Sequence, residues 1–229
     1  METQITLVTK PACPFAERVR IVLALLAIPH RVETVDVYDP PAWFRRISPL
    51  GKVPVLLDGE AALFESTAIN EYLGERHGNG TALIPGDPLA RAEMRAWIQV
   101  DETALVPAFY RLVLARDPAA RTRLAAAYLE RLEVLEQRLS ASGGPFLMGH
   151  APSLADITVF THLWRLEIVG KALELESTGG PGVAALKRVV RALPRVDAAT
   201  ASWSEATADL KPYLAGTARG ETRRDMTGQ

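Results

Sequence analysis

The chain has 229 residues, enough for one large domain or two small ones, and its 48% hydrophobic and 23% charged residues suit a globular protein with a full core. Its 26 basic and 27 acidic residues leave a net charge of −1, so no excess charge draws it to nucleic acid or to an anionic membrane. No apolar run approaches the ~18–20 residues of a membrane span, residues 1–20 lack the features of a signal peptide, and a single cysteine excludes an internal disulfide; the expected compartment is the cytoplasm, where a free thiol stays reduced.

In chain order, residues 5–9 (ITLVT) form a short β-prone run that stops at Lys10 and Pro11. From Pro14 the pattern turns helical. Phe15, Val19, Val22 and Leu26 line one helix face, and Pro14 suits a first turn, where its missing N–H has no partner in any case. Residues 31–37 (RVETVDV) are a second strand, which makes a parallel β-α-β unit with a right-handed crossover. A proline-containing loop with Pro40, Pro41 and Pro49 follows. Residues 53–64 (VPVLLDGEAALF) read as a hairpin turning at Asp58 and Gly59. Residues 65–78 read as a helix whose apolar face is Ala68, Ile69, Tyr72 and Leu73.

Beyond this point strand signals vanish. Residues 80–88, dense in Gly and Pro, are expected to be a linker. Helices are expected over 88–115, 119–141, 153–170, 181–193 and 196–208, with Pro107 kinking or breaking the first and a loop over 143–153. Residues 216–229 carry almost no apolar side chains and are expected to be a mobile tail.

Cys13 opens the first helix, where unpaired N–H groups and the positive end of the helix dipole favour a thiolate. Such placement can lower a cysteine pKa from about 8.5 to roughly 3.5–7.5. The competing reading is a small buried hydrophobe. Pro54 follows Val53 at a strand start; a cis bond there would turn the Val53 backbone outward toward an extended ligand, whereas a trans proline would simply mark an edge. Ser66 suits the N-cap of the next helix, and Glu65 beside it could accept a ligand ammonium, or the pair could be a plain cap. Ser153 and Asp156 have capping-box spacing and are read as structural. Arg18 and Arg20 could set the charge around the thiol, but a wet helix face is the favoured reading. The histidines at 30, 77, 150 and 162 lack metal-ligand spacing, so no metal is expected, and neither a phosphate-binding glycine loop nor a serine-hydrolase elbow is present.

Taken in order, these segments resemble a glutathione transferase over nearly the whole chain. CPFAERVRIVL resembles the cysteine-containing omega class, GKVPVLL the family's cis-proline segment, FESTAINEYL its γ-glutamyl-binding motif and SLADITVF its capping-box helix. The resemblance implies an α/β thioredoxin-like N-terminal domain (1–79), a linker (80–88), an all-α C-terminal helical domain (89–215) and the tail (216–229), assembled as a homodimer. It implies glutathione as co-substrate and Cys13 as the residue that forms a mixed disulfide with it. Phe15 would pack nearby, Val53 would pair through its backbone with the cysteinyl part beside cis-Pro54 of the binding segment, and Glu65 and Ser66 would hold the γ-glutamyl group. The lysine that omega-type proteins use for the glycyl end is missing from DPPAWF; Lys52, Arg45 or Arg46 would have to replace it. The activity implied is glutathione-dependent thiol–disulfide exchange with a small disulfide or electrophile, on dehydroascorbate or glutathionyl ketones among the possibilities. Ala16 stands where a second cysteine of a dithiol motif would be, so resolution would come from a second glutathione. Tyr110 and Trp164 are candidates for the second-substrate pocket between the domains. Conjugation, isomerisation or ether cleavage on the same fold, and a binding protein without turnover, are the alternatives.

Overall fold

The computed structural model describes residues 4–78, 83–175 and 177–218. Strand β1 (Ile5–Thr9) is followed by α1 (Pro14–Leu25), β2 (His30–Thr34), α2 (Ala42–Ile47), β3 (Val55–Asp58), β4 (Ala61–Phe64) and α3 (Ser66–His77). The strands form a 4-stranded sheet in the order β2-β1-β3-β4. β1 runs parallel to β2 and antiparallel to β3. This is a thioredoxin-like mixed sheet, and its central strand buries Ile5, Leu7 and Val8.

Several boundaries differ from expectation for local reasons. The second strand ends at Thr34, not Val37, because β1 offers its last ladder partner at Thr9; Val35 keeps one bond to the Thr9 carbonyl at 2.8 Å before the chain turns away. The expected proline loop contains a short helix, α2. Its six residues are too few to show a helical period, and Phe44 anchors it in a small core with Val8, Val35 and Val55. The hairpin turns one residue later than read. Asp58 still pairs with Ala61, so the loop is Gly59–Glu60, with Gly59 at φ +61°. Asp58 is held in the strand by the Tyr72 hydroxyl. In α3, Ile69 and Leu73 are buried as expected, but Ala68 is exposed.

The second half is helical: α4 (Pro88–Val100), a π-turn (Asp101–Leu105), α5 (Val106–Leu114), α6 (Pro118–Ala141), α7 (Leu154–Leu163), α8 (Arg165–Leu173), α9 (Pro181–Arg191), α10 (Val196–Ala199) and α11 (Trp203–Ala215). Pro107 has the expected effect. A proline cannot donate to the ladder and crowds the carbonyl four residues back, and here the backbone widens into the π-turn just before it, with Val106 N–H donating to Asp101 O. The turn points Asp101 into the interior, fully buried. The helix expected over 153–170 divides at Trp164, and that over 196–208 divides between α10 and α11. α7 is buried along its whole length. Its capping box is formed: Asp156 accepts from Ser153 N at 2.8 Å and Oγ at 2.7 Å, and from Leu147 N at 2.7 Å, which ties the preceding loop to the helix start. The expected linker falls partly on residues 80–82, outside the described residues; the remainder is fastened, with Leu83 buried and its carbonyl accepting from Leu154 N at 2.9 Å. Gly216 caps α11 at φ +76°, and residues 219–229 of the expected tail lie outside the described residues. Among the described residues no helix is long and apolar enough to cross a membrane.

Candidate functional site

The sheet register brings the predicted site residues to one edge. Val8 pairs with Val55, which pairs with Phe64, and Thr9 pairs with Thr34. The turn carrying Cys13, the Val53–Pro54 segment, the β4–α3 junction and residues 35–38 therefore all leave the sheet at the same end. The Val53–Pro54 bond is cis, with Val53 half-buried and Pro54 buried. Ser66 is not the N-cap of α3. Glu65 occupies that position, at φ +68° and with its side chain making no cap bond, while Ser66 is the first helical residue and is buried. Glu65 itself is exposed.

Cys13 occupies the N-cap of α1 and its side chain makes no cap hydrogen bond, although the backbone amides of Ala16 and Phe15 favour its anion. Of the two readings left open for Cys13, helix-start thiolate and buried hydrophobe, burial favours the second in the direction of its pKa. The residue is only 4% exposed, and burial pushes the thiol above its ordinary value; the Lys10 charge and the two amides pull the other way without cancelling it. Both sequence readings of Cys13 thus hold in part: it is buried, and it sits among groups that favour an anion. Ala12, just before it, adopts φ +53°, a left-handed conformation that costs an L-residue about 1–2 kcal/mol.

A cleft of about 360 Å³ at the same end of the sheet is lined by Lys10, Pro11 and residues 34–38, and Cys13 does not line it. Lys10 Nζ reaches Asp209 Oδ1 on α11 at 2.6 Å. Burial pulls the Lys10 ammonium down, but Asp209 and the neighbouring groups outweigh it and the net shift is upward, so Lys10 stays a cation. On α11, burial raises the Tyr213 hydroxyl far above the ordinary tyrosine range, with Tyr38 and Asp209 adding to the shift. Lys10, Asp209, Tyr38 and Tyr213 were missed in the sequence. Lys10 lies three residues before Cys13 and was visible there; Asp209 is 199 residues away from Lys10 and was not.

This charge arrangement has a measurable consequence. A raised thiol pKa means less thiolate at a given pH, so alkylation of Cys13 in the ligand-free protein should climb with pH to a midpoint above that of free cysteine. Lys10→Met removes a charge that lowers the pKa and should move the midpoint higher. Asp209→Asn removes one that raises it and should move the midpoint lower. Iodoacetamide rates across pH check the order; identical profiles for all three proteins would contradict it.

Arg18 is buried, not wet. Its Nη2 lies 2.7 Å from Asp101 Oδ2, its Nη1 binds Glu102, and its Nε donates to Thr161 Oγ1 at 3.3 Å. The helical half covers this face of α1, so water does not reach it. His162 Nδ1 lies 3.0 Å from the other Asp101 oxygen. Arg20 is partly buried and donates to the Ala199 carbonyl at 3.2 Å. Glu17, one turn beyond Cys13, is fully buried and accepts from Trp164 Nε1 at 2.8 Å, Arg165 Nη1 at 2.7 Å and Ala201 N at 2.8 Å. Trp164 is therefore committed to the interior and does not line the cleft. Tyr110, also buried, borders only a void of about 10 Å³ with Phe15, Arg18 and His162. Phe15 is half-buried, with the Arg18 guanidinium 5.0 Å from its ring centre. Lys52, Arg45 and Arg46 are exposed around α2, and Arg45 Nε makes a long contact of 3.4 Å to the Pro40 carbonyl.

Residues 7–81 match the family model of the glutathione S-transferase N-terminal domain, and residues 118–188 match that of the C-terminal domain. The chain is 31% identical over 179 residues to glutathione S-transferase omega-1 of Mus musculus, covering 76% of this chain and 70% of that protein. It is 38% identical over 122 residues to glutathione S-transferase F14 of Arabidopsis thaliana, a match that spans 48% of this chain and only about half, 47%, of that relative's length. The structure of glutathione transferase Omega 3C from Trametes versicolor superposes with a TM-score of 0.82 at 25% identity, covering 94% of this chain and 92% of that one. With a thioredoxin-like sheet, a helical second half, both family domains and an omega-1 relative aligned across both halves, the chain belongs to the glutathione S-transferase family, whose co-substrate is glutathione.

Proposed function

We propose that the protein is a glutathione-dependent thiol–disulfide exchange enzyme of omega-like type, with Cys13 as its nucleophile. The observation that carries this reading is the place of its one thiol. Cys13 stands at the N-cap of α1 with the helix amides and the Lys10 charge favouring its anion, at the end of the sheet shared by cis-Pro54 and the Glu65–Ser66 junction. A hydroxyl donor that would serve conjugation is absent from this position, and a protein thiolate is itself a nucleophile.

The Cys13 thiolate attacks the glutathionyl sulfur of a mixed disulfide. A bond forms between Cys13 Sγ and that sulfur, the old S–S bond breaks, and the other thiolate leaves and takes up a proton from solvent. A second glutathione, as thiolate, attacks the glutathionyl sulfur of the Cys13 adduct; glutathione disulfide leaves and the Cys13 thiolate is regenerated. Electrons balance within each step, and no other redox partner is needed.

Phe15 would pack against the bound glutathione, and the Val53 backbone would pair with its cysteinyl part, aimed by Pro54. Exposed Glu65 would accept the γ-glutamyl ammonium, and Ser66 with the α3 N-terminus would hold the α-carboxylate. The second substrate, a small disulfide or electrophile, would enter from the cleft beside Lys10 and Tyr38. Two copies of the chain and a cytoplasmic location complete the reading.

The test is reduction of a small mixed disulfide by glutathione. Glu65→Gln or Ser66→Ala should raise KM for glutathione by roughly tenfold to a hundredfold, as loss of a charged hydrogen bond of about 1.5–3 kcal/mol predicts. An unchanged KM in both variants would remove these residues from the site, and no activity in the wild type would remove the exchange reading.

A further inference from the structure

Besides the Lys10–Asp209 ion pair, the Cys13 turn is tied to the helical half of the molecule by the Arg165 guanidinium. Arg165, the first residue of α8, is 1% exposed, and its Nη2 donates to the carbonyl of Ala12 at 2.9 Å. That carbonyl belongs to the peptide unit joining Ala12 to Cys13. Ala12 is a non-glycine residue in the left-handed region, a conformation that persists only where surrounding contacts impose it. The same guanidinium binds Glu17 through Nη1 at 2.7 Å and Nη2 at 3.1 Å, and the Thr161 carbonyl at 2.6 Å. Arg165 thus grips both the turn before Cys13 and the first helical turn after it. Its charge is matched by Glu17, so what it supplies to the thiol is geometry.

We infer that Arg165 is a positioning residue for Cys13, fixing the Ala12–Cys13 peptide and with it the place of the sulfur at the N-cap of α1. The inference rests on the reading of Cys13 as the exchanging thiol, and it adds a demand the sequence did not show: the helical half sets the geometry of the nucleophile. A planar fork suits this task, because its two terminal nitrogens make four contacts at once, two to Glu17 and one each to the Thr161 and Ala12 carbonyls, whereas an ammonium has three donors on one atom.

Arg165→Ala would strand Glu17 and risk unfolding, so the variant to make is Arg165→Lys, which keeps a cation for Glu17 but gives up the fork that holds the Ala12 and Thr161 carbonyls alongside it. The matched control is Asp101→Asn, which breaks a buried ion pair with Arg18 in the same interface without touching the Cys13 turn. The expected result for Arg165→Lys is a fall in kcat of about tenfold to a hundredfold, the scale of a misplaced reacting group, with KM for glutathione changed less than about twofold. Iodoacetamide alkylation of Cys13, read at a pH where the thiol is ionised, should speed up by about threefold or more as the turn loosens and the buried sulfur is uncovered. Asp101→Asn should show neither change beyond what its stability loss produces. Alkylation in Arg165→Lys that stays at the wild-type rate, or changes equally in Asp101→Asn, overturns the inference. Alkylation needs no glutathione, so the two readings fail separately: a wild type without exchange activity would remove the proposed reaction, while the alkylation contrast would still decide the role of Arg165.

Discussion

Cys13→Ala should lower kcat/KM for glutathione-dependent disulfide reduction by about a thousandfold or more, the scale seen when a covalent nucleophile is removed. No other residue can take over, since the chain has one cysteine. The same change should cost little stability. Cys13 is buried and its side chain makes no cap hydrogen bond, so a small-to-smaller change at this helix start should cost about 1 kcal/mol. Activity and stability are therefore expected to separate. A variant that melts with the wild type and still reduces disulfides would show that the thiol is only a core residue. The pH dependence points the same way. Because burial raises the Cys13 pKa, the thiolate fraction in the free enzyme grows as pH rises from neutral, and kcat/KM should grow with it. Part of that loss at neutral pH is offset, because a thiolate of higher pKa is the better nucleophile.

Glu17→Ala should be among the most destabilising single changes in the chain, at about 3–5 kcal/mol, the usual cost of removing one partner from a buried ion pair. The residue is fully buried and collects donors from α8, from Trp164 and from the segment before α11. Its loss leaves Arg165 without its counter-charge and the Trp164 and Ala201 N–H groups without an acceptor. Typical domains have only about 5–15 kcal/mol in total. Urea unfolding with separate probes for the sheet and the helices measures the effect, and separate probes matter because a chain of this build need not unfold in two states. A midpoint shift worth under about 1 kcal/mol would mean that the Glu17 cluster contributes nothing net, as exposed ion pairs commonly do.

The parts legible in the sequence were those fixed by local chemistry. Pro14 after Cys13 marked the start of α1, Ser153 and Asp156 marked the start of α7, and Pro107 marked a break that the π-turn supplies. The cis bond at Pro54 was reachable through the family resemblance, where local chemistry left it open. What failed depended on partners distant in the chain. Arg18 and Arg20 follow the thiol on what looks like an ordinary charged face, and only the docking of the helical half, with Asp101 carried inward by the π-turn, makes Arg18 a buried ion-pair partner. Trp164 had the composition of a ligand-facing aromatic, but its indole N–H is taken by Glu17, 147 residues earlier. The short helix α2 was hidden by its length, and Phe44 was its one strong signal. The thiol stayed between a helix-start thiolate and a buried hydrophobe in the sequence, because the helix N-terminus can be read there and burial cannot.

The most direct measurement is intact-mass analysis of the protein after incubation with glutathione disulfide, followed by peptide mapping. One glutathionyl group on Cys13, removed by added glutathione and absent in Cys13→Ala, is the predicted result. A protein that binds glutathione yet never carries the adduct would contradict the mixed-disulfide mechanism.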